Sequence, residues 1–140
     1  MSEVTVTKLT LLEGYRSLVR FDDEDIPDLL VDEPEPIGEG RGPNATQLLS
    51  AAVGHCMSSS LIFCLNKERV KVKKLETTVS LRTARNDQNR LRVSGMDVEI
   101  SLDVDEEDRE RIHRCLEVFE NYCTVSESVR KGIEINVKIR

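Results

Sequence analysis

Hydrophobic and polar residues alternate along much of the chain. Across 91–104, Met96, Val98, Ile100, Leu102 and Val104 are interleaved with Asp97, Glu99, Ser101 and Asp103. Successive side chains of a strand point to opposite faces, so this pattern predicts a strand with one buried face. Residues 70–84 read as its hairpin partner across the polar turn Asn86-Asp87-Gln88-Asn89. Residues 4–12 and 16–21 predict two more strands around Glu13-Gly14-Tyr15, with a short one near Leu29–Val31. At the far end Ile133, Ile135, Val137 and Ile139 face one way in an expected final strand.

Two segments break this alternation. Residues 22–43 are rich in Asp, Glu, Pro and Gly, and Pro34, Pro36 and Pro43 exclude a helix interior there. Asn44 then offers an N-cap with Gln47 three residues on, a capping-box-like start. From Leu48 to Leu65 small and apolar residues occur on every side, which predicts a helix in the middle of the structure, ending at Asn66-Lys67-Glu68-Arg69. Asp105, ahead of an acidic first turn, caps a second expected helix whose apolar face is Ile112, Cys115, Leu116 and Phe119. The acidic runs 22–25 and 105–108 read as solvated turns and helix starts.

Composition narrows the classes. The 140 residues make one domain, 1–140, with 39% hydrophobic and 33% charged residues, as in a globular chain. A net charge of −6 argues against nucleic acid or an anionic membrane as partner. No apolar run is expected to span a bilayer. The start MSEVTVTKLT lacks the basic segment and apolar stretch of a secretory signal, so the expected location is cytoplasmic. There thiols are kept reduced, and four cysteines read as core fillers, metal ligands or working thiols.

Helix geometry restricts their pairing. Cys56 and Cys64 lie eight residues apart on one helix. That separation is roughly 12 Å, beyond disulfide reach. If the second helix runs on to Cys123, Cys115–Cys123 is excluded likewise. Any internal disulfide then joins the central helix to the C-terminal segment. Of the four such pairings Cys56–Cys123 is favoured. Cys56 is bracketed by Ala51, Ala52, Gly54 and Ser58-Ser59-Ser60, and Cys123 stands at an expected helix end beside Thr124 and Ser126, where a thiol is reachable. Cys64, inside Leu61-Ile62-Phe63-Cys64-Leu65, and Cys115 read as core packing.

The stretch from Gly42 through Asn44, Gln47 and Gly54-His55 to Cys56 resembles the central-helix motif of the OsmC/Ohr family, the osmotically inducible and organic hydroperoxide resistance proteins. Cys123-Thr124-Val125-Ser126-Glu127-Ser128-Val129 is similar to their second cysteine motif. The resemblance implies an α+β fold in which antiparallel sheets surround a long central helix and two subunits interlock as a homodimer. It implies a hydroperoxide reductase of oxidative stress, in which Cys56 attacks an organic hydroperoxide, Cys123 resolves the sulfenic acid to a disulfide, and a small dithiol or lipoyl-type thiol reduces it. No cofactor and no metal are implied.

A free thiol has a pKa of about 8.5 and needs help to ionise at neutral pH. Cys56 lies about twelve residues into its helix, too far from that helix's own N-terminus, so a cation is expected to help it. The family uses an N-terminal arginine. Arg16 is the first candidate, Arg20 the second and Arg41 the third. Ala45 and Thr46 stand where many members have proline and glutamate, so Thr46 brings no carboxylate, and Thr124 replaces a common proline. These departures mark a divergent member. The alternative is a non-catalytic protein of the same fold that binds a small apolar ligand or serves a stress-related structural role. A metal site from the four cysteines, His55 and His113 lacks the short ligand gaps of zinc sites.

Overall fold

The hairpins form where the alternation places them. In the computed structural model, which describes residues 3–140, β1 (Thr7–Glu13) and β2 (Arg16–Phe21) pair antiparallel, and β3 (Leu29–Val31) adds to β2. The turn between β1 and β2 needs a left-handed residue, and Gly14 supplies it at φ 58°. A second antiparallel pair joins β4 (Val72–Arg85) to β5 (Leu91–Val104), with Leu75 opposite Leu102 and Val79 opposite Val98. In chain order the long helix α1 (Ala45–Lys67) follows β3 and precedes β4. The chain is thus α+β, as the sequence predicts. It forms two compact units, one up to Leu48 and one from Leu49 onward.

The first unit holds the first sheet and the Pro/Gly loop. That loop is organised by Asp32, which is buried. Its carboxylate accepts the backbone N–H groups of Glu33 at 2.8 Å, Glu39 at 3.2 Å and Arg41 at 3.1 Å. The α1 start is the expected capping box. The Asn44 N–H donates to Gln47 Oε1 at 2.9 Å, and the Gln47 N–H donates to Asn44 Oδ1 at 3.0 Å.

The core of the second unit is a stripe of α1, Val53, Met57, Leu61 and Leu65, packed with Val70, Val104, Cys115, Phe119 and Cys123. Partly buried Leu75, Val98, Ile100 and Leu102 of the hairpin face it. Gly54 lies so close to β4 that an added Cβ would sit 2.9 Å from Val79 Cγ2. Ser58 Oγ donates to the Gly54 carbonyl at 2.8 Å and meets Thr77 Oγ1 at 2.6 Å.

Five expectations are corrected. By length and composition α1 is a match for a membrane-spanning helix, although its Val53–Leu65 stripe belongs to the core. Helix α1 is also not covered all round in this single chain. Ala51, Ala52, His55, Ser59, Ile62 and Phe63 are exposed, because the hairpin covers one face only. Residues 133–139 form no strand, and Ile133, Ile135, Val137 and Ile139 are exposed: no neighbouring strand accepts their backbone hydrogen bonds. Asp105 makes no side-chain cap; it precedes a 3-10 turn at Glu106–Asp108, and its carboxylate pairs with Lys73 at 2.7 Å. Finally, the second helix does not run through to Cys123. Helix α2 spans Ile112–Val118, a 3-10 turn covers Phe119–Tyr122, and a further helix α3 covers Thr124–Lys131.

Candidate active site at the α1–α3 contact

Helix α1 carries Cys56 half-buried at the edge of its core stripe. The backbone breaks from the 3-10 turn into an extended conformation at Cys123 (φ −80°, ψ 96°) before α3 begins at Thr124. This break brings two residues 67 positions apart together. Cys123 Sγ donates to the Phe119 carbonyl at 3.5 Å and points to the Cys56 carbonyl at 4.0 Å. Both thiols are free.

The Val125 N–H donates to Cys56 Sγ at 3.4 Å. Val125 lies in the first turn of α3, where N–H groups have no acceptor within their own helix. The N-terminal end of a helix carries partial positive charge, and a donor aimed at sulfur stabilises negative charge there. A helix N-terminus thus does reach the Cys56 sulfur, from α3 rather than from α1. The signals for α3 were present in the sequence. Glu127 lies in its first turn, Arg130 and Lys131 in its last, and Gly132 follows at φ 78°.

Cys123 is only 1% exposed, not reachable as its place in the sequence suggests. The core closes over it because Phe119 and Cys115 pack beside it. Cys64 and Cys115, expected to be core fillers, are bonded to each other as a disulfide between α1 and α2. Both lie in or against the core, but the expectation of packing alone is corrected: their surroundings bring the two sulfurs together, and the favoured pair Cys56–Cys123 is unbonded.

The candidate arginines belong to the first unit. Arg16 pairs with Glu13 at 3.0 Å and Glu39 at 3.5 Å. Arg41 shares Glu39 at 3.2 Å, and Arg20 pairs with Asp28 at 3.3 Å. Thr46 donates to Asn44 Oδ1 at 3.0 Å and serves the helix cap. His55 and His113 are exposed. Among the described residues no three His, Cys, Asp or Glu side chains gather as a metal site.

The family model for OsmC-like proteins matches residues 38–138, spanning both cysteine motifs. The chain belongs to the OsmC-like family. No curated protein sequence matches it. Solved structures do. An OsmC-like protein of unknown function from Vibrio cholerae superposes with a TM-score of 0.77 at 13% identity, over 91% of this chain and 94% of that one. An organic hydroperoxide resistance protein OsmC from Legionella pneumophila gives 0.68 at 18%, over 91% and 90%. An organic hydroperoxide resistance protein from Elizabethkingia anophelis gives 0.66 at 19%, over 96% and 94%. At such identities the likeness is one of fold. This OsmC-like chain holds a Cys64–Cys115 bond eight residues from each free thiol.

Proposed function

We propose that this chain is a thiol-dependent hydroperoxide reductase in which Cys56 attacks and Cys123 resolves. The observation that carries the reading is the adjacency of two free cysteines at the α3 N-terminus, with Cys123 Sγ 4.0 Å from the Cys56 carbonyl and the Val125 N–H on Cys56 Sγ. Family membership supports it, and two of the structural neighbours bear the name of organic hydroperoxide resistance proteins. The Cys56 thiolate attacks one peroxide oxygen; the S–O bond forms, the O–O bond breaks, and the alkoxide leaves as alcohol after taking a proton. The Cys123 sulfur then attacks the sulfenic sulfur, the S–S bond forms, and water departs. A small dithiol or lipoyl-type thiol returns two electrons and two protons.

Of the N-terminal arginines that the family resemblance implies, Arg16 is the candidate. Its side chain is 20% exposed, against 67% for Arg20 and 62% for Arg41. The working form is a homodimer, and the setting is the cytoplasm under oxidative stress. The test is peroxide consumption with dithiothreitol or dihydrolipoamide. Wild type consumes cumene hydroperoxide and Cys56→Ser does not; equal rates in the two proteins sink the proposal.

One observation favours a second reading, binding without turnover. A groove of about 700 Å³ is lined by Val53, Met57, Met96, Val98, Phe119 and Ser126 among others. The Ser126 hydroxyl is buried without a hydrogen-bond partner among the described residues. A bound apolar molecule recovered from purified protein, with Cys56 inert to peroxide, selects this reading.

A further inference from the structure

The two cysteine pairs have a common spacing. Cys64 lies eight residues after Cys56 on α1, and Cys115 lies eight residues before Cys123. Cys64 is bonded to Cys115, and Cys56 lies beside Cys123. The pairs are therefore two rungs of one antiparallel arrangement, in which the segment from α2 to Cys123 runs back along α1. We propose that Cys64 and Cys115 are positioning residues, whose disulfide holds this segment so that Cys123 is presented to Cys56. The inference rests on the reading of Cys56 and Cys123 as the redox pair.

The segment needs an external anchor. Helix α2 has seven residues, and the next four are a 3-10 turn. Such short pieces hold together weakly by themselves, because nucleating a helix costs several fixed torsions for its first hydrogen bond. The chain after Gly132 is exposed and offers no regular element to brace them. The anchors are the buried side chains of Cys115, Phe119 and Cys123, and Cys115 is covalently tied.

The cross-link also shortens the path between the reacting sulfurs. Without it, Cys56 and Cys123 are separated by 67 residues of chain. Through the Cys64–Cys115 bond the path is about 17 steps, two runs of eight residues joined at the sulfurs. Closure probability falls as roughly the three-halves power of path length, so when the segment opens locally the cross-link raises the return of Cys123 to Cys56 about eightfold. The bond itself forms once from two thiols, giving two electrons and two protons to a peroxide or a disulfide, and takes no part in later turnover.

The experiment compares wild type with the double variant Cys64→Ala/Cys115→Ala. Each protein, with Cys56 and Cys123 reduced and the wild-type Cys64–Cys115 bond intact, is mixed with one equivalent of cumene hydroperoxide, quenched in time and mapped by mass spectrometry. The expected result is unchanged oxidation of Cys56, about eightfold slower appearance of the Cys56–Cys123 disulfide, and accumulation of Cys56 sulfenic acid, trapped by dimedone, in the variant. Equal rates of disulfide formation overturn the inference. A parallel arm uses diamide, which couples two thiols directly by taking up two electrons and two protons. If Cys56 ignores peroxide in both proteins, the peroxidase reading fails, and the diamide arm still reads the positioning: slower coupling in the variant supports it, equal coupling overturns it. Should the double variant not fold, reoxidation of fully reduced wild type by diamide decides. Formation of Cys64–Cys115 before Cys56–Cys123 is expected, and the reverse order overturns the inference.

Discussion

Asp32 shows how one buried side chain shapes a loop that composition alone describes only as turn-rich. Burial pushes its carboxyl up, but the backbone donors of Arg41, Glu33 and Glu39 and the charge of Arg16 outweigh burial, and its pKa lies below the ordinary carboxylate value of 3.8. A folded-state pKa below the unfolded one contributes stability that is complete above the ordinary carboxylate range. That contribution is lost as pH falls through the lower, folded value. Asp32→Asn is expected to lower the urea midpoint at neutral pH and to flatten its decline in acid; an unchanged pH profile rules this out. At Cys123 a different test applies. Cys123→Ser is expected to leave the first oxidation of Cys56 intact and to let the sulfenic acid be trapped by dimedone. A Cys123→Ser protein that still forms an intramolecular disulfide at Cys56 contradicts the assigned resolver.

Helix α1 was the most legible element, since its cap and its apolar run are both local. Asn44 and Gln47 satisfy each other's backbone N–H groups, and Asn44→Ala is expected to cost about 1 kcal/mol in chemical denaturation. Gly54 is a tertiary requirement on the same helix. A side chain there meets Val79, so Gly54→Val is expected to destabilise by about 1–3 kcal/mol, read from the denaturation midpoint, despite valine's better helix propensity. No loss on that change would mean β4 yields freely. Helix α3 carries its signals at its ends, Glu127 in the first turn, Arg130 and Lys131 in the last and Gly132 after them.

At the scale of the whole molecule, apolar surface outlines the proposed homodimer. One face of α1, with Ile62 and Phe63, is exposed, as are Leu9 and Leu11 of β1 and the alternating Ile133, Ile135, Val137 and Ile139. Exposed apolar residues of this number favour an interaction surface, and a lone strand is unstable without a partner for its backbone groups. Sedimentation is expected to show a dimer in solution, and Ile135→Asp/Ile139→Asp is expected to shift it toward monomer. A wild type that sediments as monomer at micromolar concentration refutes the dimer. The strand read in 133–139 follows from a real alternation, but alternation shows only which side chains share a face and not what the backbone pairs with.

Sequence by itself determined the periodic strands of both hairpins, the capping box and length of α1, the exclusion of a Cys56–Cys64 disulfide along α1, and the likeness of the two cysteine motifs to the OsmC/Ohr family. These features rest on local hydrogen bonds, side-chain spacing and helix rise, which act within a few residues. Tertiary structure alone decided that Cys64 bonds Cys115, that Cys123 is buried against Cys56, and that a backbone N–H of α3 meets the Cys56 sulfur. Each joins atoms 51 to 69 residues apart, and at that range packing of the core sets which groups meet.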